Sequence, residues 1–161
     1  MTTFVELGFK PEIIQALGDL GFESPTPIQE KTATVLIETD QDLVGLAQTG
    51  TGKTAAFGLP IVHDTEPSER QIQSLVLTPT RELCMQVARD IESYAKYVRG
   101  LKVLAVYGGT DIRNQIKKLQ DKPQILVATP GRLLDLINRG RVKLDELSIL
   151  VLDEADEMLN M

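Results

Sequence analysis

Two short stretches of the sequence hold residue types suited to work on a phosphate group. Residues 47–54 read AQTGTGKT, and residues 153–156 read DEAD. In the first, Gly50 and Gly52 let the backbone turn its N–H groups toward an anion. Lys53 can reach β- and γ-phosphates, and the Thr54 hydroxyl can ligate Mg²⁺. With Gln48, Thr49 and Thr51 these residues match a phosphate-binding loop, with one departure: Ala47 stands where the general pattern has its first glycine. In the second stretch, the apolar run 149–152 delivers Asp153 and Glu154 at the carboxyl end of a strand. That is the edge where open α/β sheets bind ligands. Asp153 is suited to hold Mg²⁺, directly or through water, and Glu154 to orient and deprotonate an attacking water. The plainer reading is that acids cap the next helix, where negative charge is favourable, and it suffices for Glu157.

A third stretch, GFESPTPIQ at 21–29, supports two readings. Thr26 with Gln29 fits a capping box that starts a helix. Alternatively, the Gln29 amide donates to N7 and accepts from N6 of adenine, with Phe4 or Phe22 supplying a stacking face.

These residues need a scaffold, and the apolar pattern supplies one. Runs at 43–47, 74–77, 103–107, 125–128 and 149–152 are apolar on successive residues, as expected of strands covered on both faces. Helical spacing recurs between them, with Leu83, Val87, Ile91, Ala95 and Val98 over 83–98 and a dense apolar stripe over 133–137. The alternation predicts an α/β fold built on a mainly parallel sheet with helices on both faces. The first forty residues predict two helices instead. One starts at Pro11 and stops at Gly21; the other has Thr26 as N-cap, Pro27 at its first position, and runs to about Ile37. Residues 63–73 read as a surface loop, with the only histidine, His63, facing solvent.

Composition narrows the classes. A chain of 161 residues, 42% hydrophobic and 25% charged, can bury a core and fits a single domain of ordinary size. A net charge of −6 argues against wholesale coating of nucleic acid but leaves room for a local track. The single cysteine, Cys84, forms no internal disulfide and reads as helix packing. No secretory start and no membrane-length apolar run is visible, which fits the cytoplasm.

Taken together, the motifs resemble the amino-terminal half of a DEAD-box RNA helicase. GFESPTPIQ resembles that family's Q motif, AQTGTGKT its motif I, PTREL (79–83) motif Ia, Gly108-Gly109 its glycine doublet, TPGR (129–132) motif Ib, and DEAD motif II. Order and spacing match over essentially the whole chain, and Ala47 is ordinary in this family. The resemblance implies a RecA-like P-loop core over 41–161, incomplete at its carboxyl end, with residues 1–40 as a Q-motif region packed on it. It implies ATP and Mg²⁺ as cofactors, with Lys53, Asp153 and Glu154 catalytic and Thr54 and Asp153 on the metal. It favours Gln29 as adenine reader and Phe4 as the stacking ring, beside Gln48, Thr49, Gly50, Thr51, Gly52, Lys53 and Thr54 on the phosphates.

The resemblance also implies RNA binding, for which the residues offer a physical route. Pro79-Thr80, Gly108-Gly109-Thr110 and Thr129-Pro130 each follow a predicted strand and open a predicted helix, with Thr80, Thr110 and Thr129 as candidate N-caps. Helix amino termini suit phosphates, so three on one sheet edge form a track, and Arg81 and Arg132 add charge to it. Of these, Pro79, Thr80, Arg81, Gly108, Gly109, Thr129, Pro130 and Arg132, with Gly131, are the expected RNA contacts, made to the backbone and therefore indifferent to sequence. The family continues with a further strand and a second RecA-like domain carrying arginine fingers, so the chain reads as a fragment. It is expected to be a monomer that binds ATP and RNA weakly and unwinds little alone. Two alternatives are a DNA-stimulated helicase-like ATPase and a truncated, non-catalytic module that binds RNA or a partner protein.

Overall fold

The computed structural model describes every residue except Thr49. Packing divides the chain into two compact units, Met1–Asp64 with Asp90–Arg99, and Thr65–Arg89 with Gly100–Met161.

The first unit contains α1 (Pro11–Asp19), α2 (Pro27–Glu38) and α3 (Lys53–Asp64). Pro11 and Pro27 each occupy a first helical position, where the missing N–H costs nothing. α1 buries Ile13, Ala16 and Leu17, residues spaced three and four apart on one face. Phe4 packs against Phe9 and Phe22 at ring separations of 6.4 and 6.3 Å, and Phe22 meets Tyr94 edge-on at 6.2 Å. Burial pushes the Tyr94 hydroxyl pKa well up, so that phenol stays neutral. His63 departs from the sequence expectation. It ends α3 rather than lying in a loop, and its Nδ1 accepts the Lys10 N–H at 3.3 Å while its ring meets Phe9 edge-on.

The second unit is built on β1 (Ser74–Leu77), α4 (Arg81–Tyr94, its last turn belonging to the first unit), β2 (Val103–Val106), α5 (Ile112–Leu119), β3 (Ile125–Ala128), α6 (Pro130–Asn138), β4 (Ile149–Leu152) and α7 (Ala155–Leu159). The strands form one parallel sheet in the order β2-β3-β1-β4. Parallel strands alternate with helices because each crossover needs a covering element. Leu75, Leu126, Ala128 and Val106 line one face and pack with Leu133 and Leu136 of α6 and with Ile112, Ile116 and Leu119 of α5. Val76, Ile125 and Val127, on the other face, are equally buried. Complete burial of each such aliphatic side chain contributes about 1.5–3 kcal/mol. The Cys84 thiol sits in this interior against the Val106 and Val127 carbonyls, and burial raises its pKa to about 11, so it is inert packing. Buried Gln73 and Gln124 pin the connection before β1. Gln73 Nε2 donates to the Glu66 and Glu69 carbonyls, and Gln124 Nε2 to those of Pro67 and Gly100.

The run at 43–47 does not form the strand its sequence predicts. It lies outside the sheet, with Val44 and Leu46 about nine-tenths exposed (89% and 94%). Apolarity signals a wish for burial, but a strand also needs a neighbour for its N–H and C=O groups. None of the four sheet strands pairs with this run. β4 forms the sheet's other edge, and Leu150 and Leu152, in register with buried Leu75 and half-buried Leu77, remain more than half exposed. No helix among the described residues is long and apolar enough to cross a membrane.

Candidate nucleotide and nucleic-acid sites

The phosphate loop is held in place through α2. The capping box at the start of α2 is complete: Gln29 N–H donates to Thr26 Oγ1, and Thr26 N–H to Gln29 Oε1 at 3.0 Å. The same amide reaches further, because Gln29 Nε2 donates to the Gly52 carbonyl at 3.1 Å. A second link joins the Thr32 hydroxyl to the Ala56 carbonyl at 2.9 Å, one turn into α3. Gly52 has φ +82°, a left-handed conformation that favours glycine, and a Cβ there would crowd the Gln29 amide. Thr51 Oγ1 closes the turn by donating to the Gln48 carbonyl at 2.6 Å. Lys53 and Thr54 form the first turn of α3, where N–H groups without helical partners and the helix dipole favour an anion. Thr49 lies outside the described residues.

Gln29 therefore fills the capping role. A primary amide offers two donor hydrogens and two acceptor lone pairs. Its contacts with Thr26 and Gly52 use one of each, in a side chain that is 5% exposed. Phe4 keeps only 5% of its surface exposed within the aromatic cluster. The donors around this loop suit a magnesium–triphosphate: cradle amides and an ammonium for the phosphates, and a hydroxyl oxygen for a hard cation. Among the described residues no group of three or more His, Cys, Asp and Glu side chains gathers as a metal site.

In the second unit, Asp153 closes β4, is 4% exposed, and donates its N–H to the Leu77 carbonyl. Glu154 follows with φ +54° and ψ +49°, the left-handed region that costs a non-glycine residue about 1–2 kcal/mol. Such a conformation persists only where the surroundings enforce it, and it turns the chain sharply between strand and helix.

The three expected phosphate-binding turns differ in detail. Thr80 caps α4, with Leu83 N–H donating to its hydroxyl at 3.2 Å, and exposed Arg81 stacks over the Tyr107 ring at 5.1 Å. Thr129 precedes α6 in extended conformation with Pro130 at the first helical position, but its side chain makes no capping bond. Thr110 is not an N-cap. Asp111 takes that position, accepting Arg113 N–H at 2.9 Å, and the charge-assisted bonds to Arg113 lower its pKa. Asp ranks above Thr as an N-cap, and here it takes the position from its threonine neighbour. Gly109, with φ +84°, gives the loop its turn. Gly131 lies exposed in the first turn of α6, Gly108 is exposed, and Pro79 is half-buried.

Sequence reasoning missed the residue that ties these turns together. Gln115, 6% exposed, donates to the Tyr107 carbonyl at 3.1 Å and the Thr110 hydroxyl at 3.0 Å, and accepts from Arg132 Nη1 at 2.9 Å. Arg132 Nη2 also donates to the Thr110 carbonyl at 3.0 Å. The signal was present. Ile112, Gln115, Ile116 and Leu119 follow the three-and-four spacing of an inward face, and one of them is an amide.

Comparison with known proteins agrees with this fold. Residues 26–161 match the family model described as DEAD/DEAH box helicase. The chain is 55% identical over its full length to the ATP-dependent RNA helicase CshA of Listeria monocytogenes, of which it covers 31%. It is 51% identical over 99% of its length to the ATP-dependent RNA helicase DeaD of Escherichia coli, of which it covers 25%. Among solved structures, a DEAD box protein from the hyperthermophile Methanococcus jannaschii superposes with a TM-score of 0.92 at 44% identity, over all of this chain and 44% of that one. The chain thus spans about a quarter to a third of the curated relatives it matches.

Proposed function

We propose, starting from the fact that this chain belongs to the DEAD/DEAH box helicase family, that it is the ATP-binding part of an ATP-dependent RNA helicase. Residues 41–161 are its RecA-like core, and residues 1–40 serve base recognition. The observation that carries the reading is the double use of Gln29, which caps α2 and grips the Gly52 carbonyl of the phosphate loop. One side chain thereby couples the identity of a base to the shape of the cradle that holds its phosphates.

In this reading Gln48, Thr49, Gly50, Thr51, Gly52 and Lys53 hold the triphosphate through backbone N–H groups and one ammonium. Thr54 and Asp153 would hold Mg²⁺, which would supply charge neutralisation for the phosphates. Glu154 accepts a proton from the attacking water, a role worth about 10²–10⁴ in rate. Phe4 supplies the ring that stacks on adenine. Pro79, Thr80, Arg81, Gly108, Gly109, Thr129, Pro130, Gly131 and Arg132 hold the backbone of single-stranded RNA. A second RecA-like domain completes the cleft and supplies arginines to the transition state, so the chain alone hydrolyses ATP slowly and does not unwind a duplex.

Nucleotide competition tests the carrying observation. ATP displaces a fluorescent adenine nucleotide from the chain at least tenfold better than GTP, and Gln29→Ala removes that preference. Equal displacement by ATP and GTP from the unaltered chain sinks the base-reading role.

A further inference from the structure

We propose that Gln115 is a positioning residue for the RNA-backbone track. By binding the loop 107–110 and the Arg132 guanidinium into one unit, it sets the spacing of two phosphate contacts. The inference rests on the reading of these turns as RNA contacts and adds to it a residue that touches no RNA itself.

The argument begins with cost. Gln115 occupies an inward position of α5, whose neighbours Ile112, Ile116 and Leu119 pack into the core. An apolar residue would fill that place without burying an amide, and an unsatisfied amide there costs about 1–3 kcal/mol. The amide is instead spent on the backbone and side chains of two separate turns. Those turns leave β2 and β3, adjacent strands of the sheet, so Gln115 bridges the gap between them.

Two chemical consequences follow. Arg132 has five N–H donors in a rigid fork, and its contacts with Gln115 and the Thr110 carbonyl fix the plane of the guanidinium. Its remaining donors then meet a phosphate in one orientation, with little side-chain freedom left to lose. The Thr110 hydroxyl accepts from Gln115, so its own hydrogen points elsewhere. Thr110 is exposed and therefore presents that hydrogen outward as a donor, which makes it an additional RNA contact.

The test uses the 161-residue chain and a fluorescein-labelled single-stranded oligouridylate, with nucleotide affinity measured in parallel. Gln115→Met keeps side-chain length and removes both polar functions. RNA affinity is expected to fall about tenfold relative to nucleotide affinity, the scale of a charge-assisted hydrogen bond. The slope of log affinity against log salt is expected to shrink by about 0.7, the loss of one phosphate contact on a single strand. A purely structural role leaves that slope unchanged. Thr110→Ala, at an exposed position, covers the case in which Gln115→Met does not fold, and is expected to weaken RNA about threefold. Undiminished RNA affinity and slope in Gln115→Met, or undiminished affinity in Thr110→Ala, overturn the inference alone. Failure of the unaltered chain to bind RNA at all overturns the functional reading beneath it.

Discussion

Glu154 shows how one residue can be expensive and retained. Its left-handed backbone suits glycine, yet a glutamate stands there, directly after the buried Asp153. Glu154→Gly is expected to raise the unfolding free energy by about 1 kcal/mol through relief of that strain. In a protein that also carries the second domain, the same change is expected to abolish turnover. Denaturant unfolding and an ATPase assay measure the two effects; a variant less stable than the parent contradicts the strain argument. The two acids were legible because they follow an apolar run, whereas the strain was not, since φ depends on how β4 meets α7. Gln29 was legible as two competing roles. Its grip on the Gly52 carbonyl was not legible, because it depends on how α2 meets the phosphate loop.

At the scale of elements, α1, α2 and four of the five expected strands were readable from periodicity and from Pro and Gly punctuation. The run at 43–47 was not, because composition records the need for burial but not the availability of a partner edge. Thr110 shows the same limit over one turn, where a neighbouring aspartate took the cap. His63 was misplaced because nothing local shows that α3 continues to Asp64 and brings the imidazole to the Lys10 N–H. That contact has a pH consequence. Burial lowers the His63 pKa below its usual 6.5, with Asp64 opposing and Lys10 reinforcing the shift. Only neutral imidazole accepts at Nδ1, so the contribution is complete above pH 6.5 and is lost as pH falls through the lowered folded value. Asp64 runs the other way. Burial raises its pKa above 3.8, so its penalty is relieved on acidification. The midpoint of thermal unfolding is expected to drop between about pH 7.5 and 5.5 and to drop less in His63→Gln. Parallel falls in both proteins contradict the contact's role.

For the molecule as a whole, a net charge of −6 and an RNA-binding role are compatible because the field that matters is local. Helix starts and two arginines, Arg81 and Arg132, gather where the sheet's strands end. The central proposal is that Lys53, Thr54, Asp153 and Glu154 serve ATP hydrolysis. The most direct measurement is RNA-stimulated ATP turnover by this chain joined to a second RecA-like domain, for the parent, Lys53→Ala and Glu154→Gln. The parent is expected to turn over ATP and to be accelerated by single-stranded RNA. Lys53→Ala is expected to lose nucleotide affinity, while Glu154→Gln keeps affinity and loses at least about a hundredfold in rate. Turnover in Glu154→Gln within twofold of the parent would contradict the account.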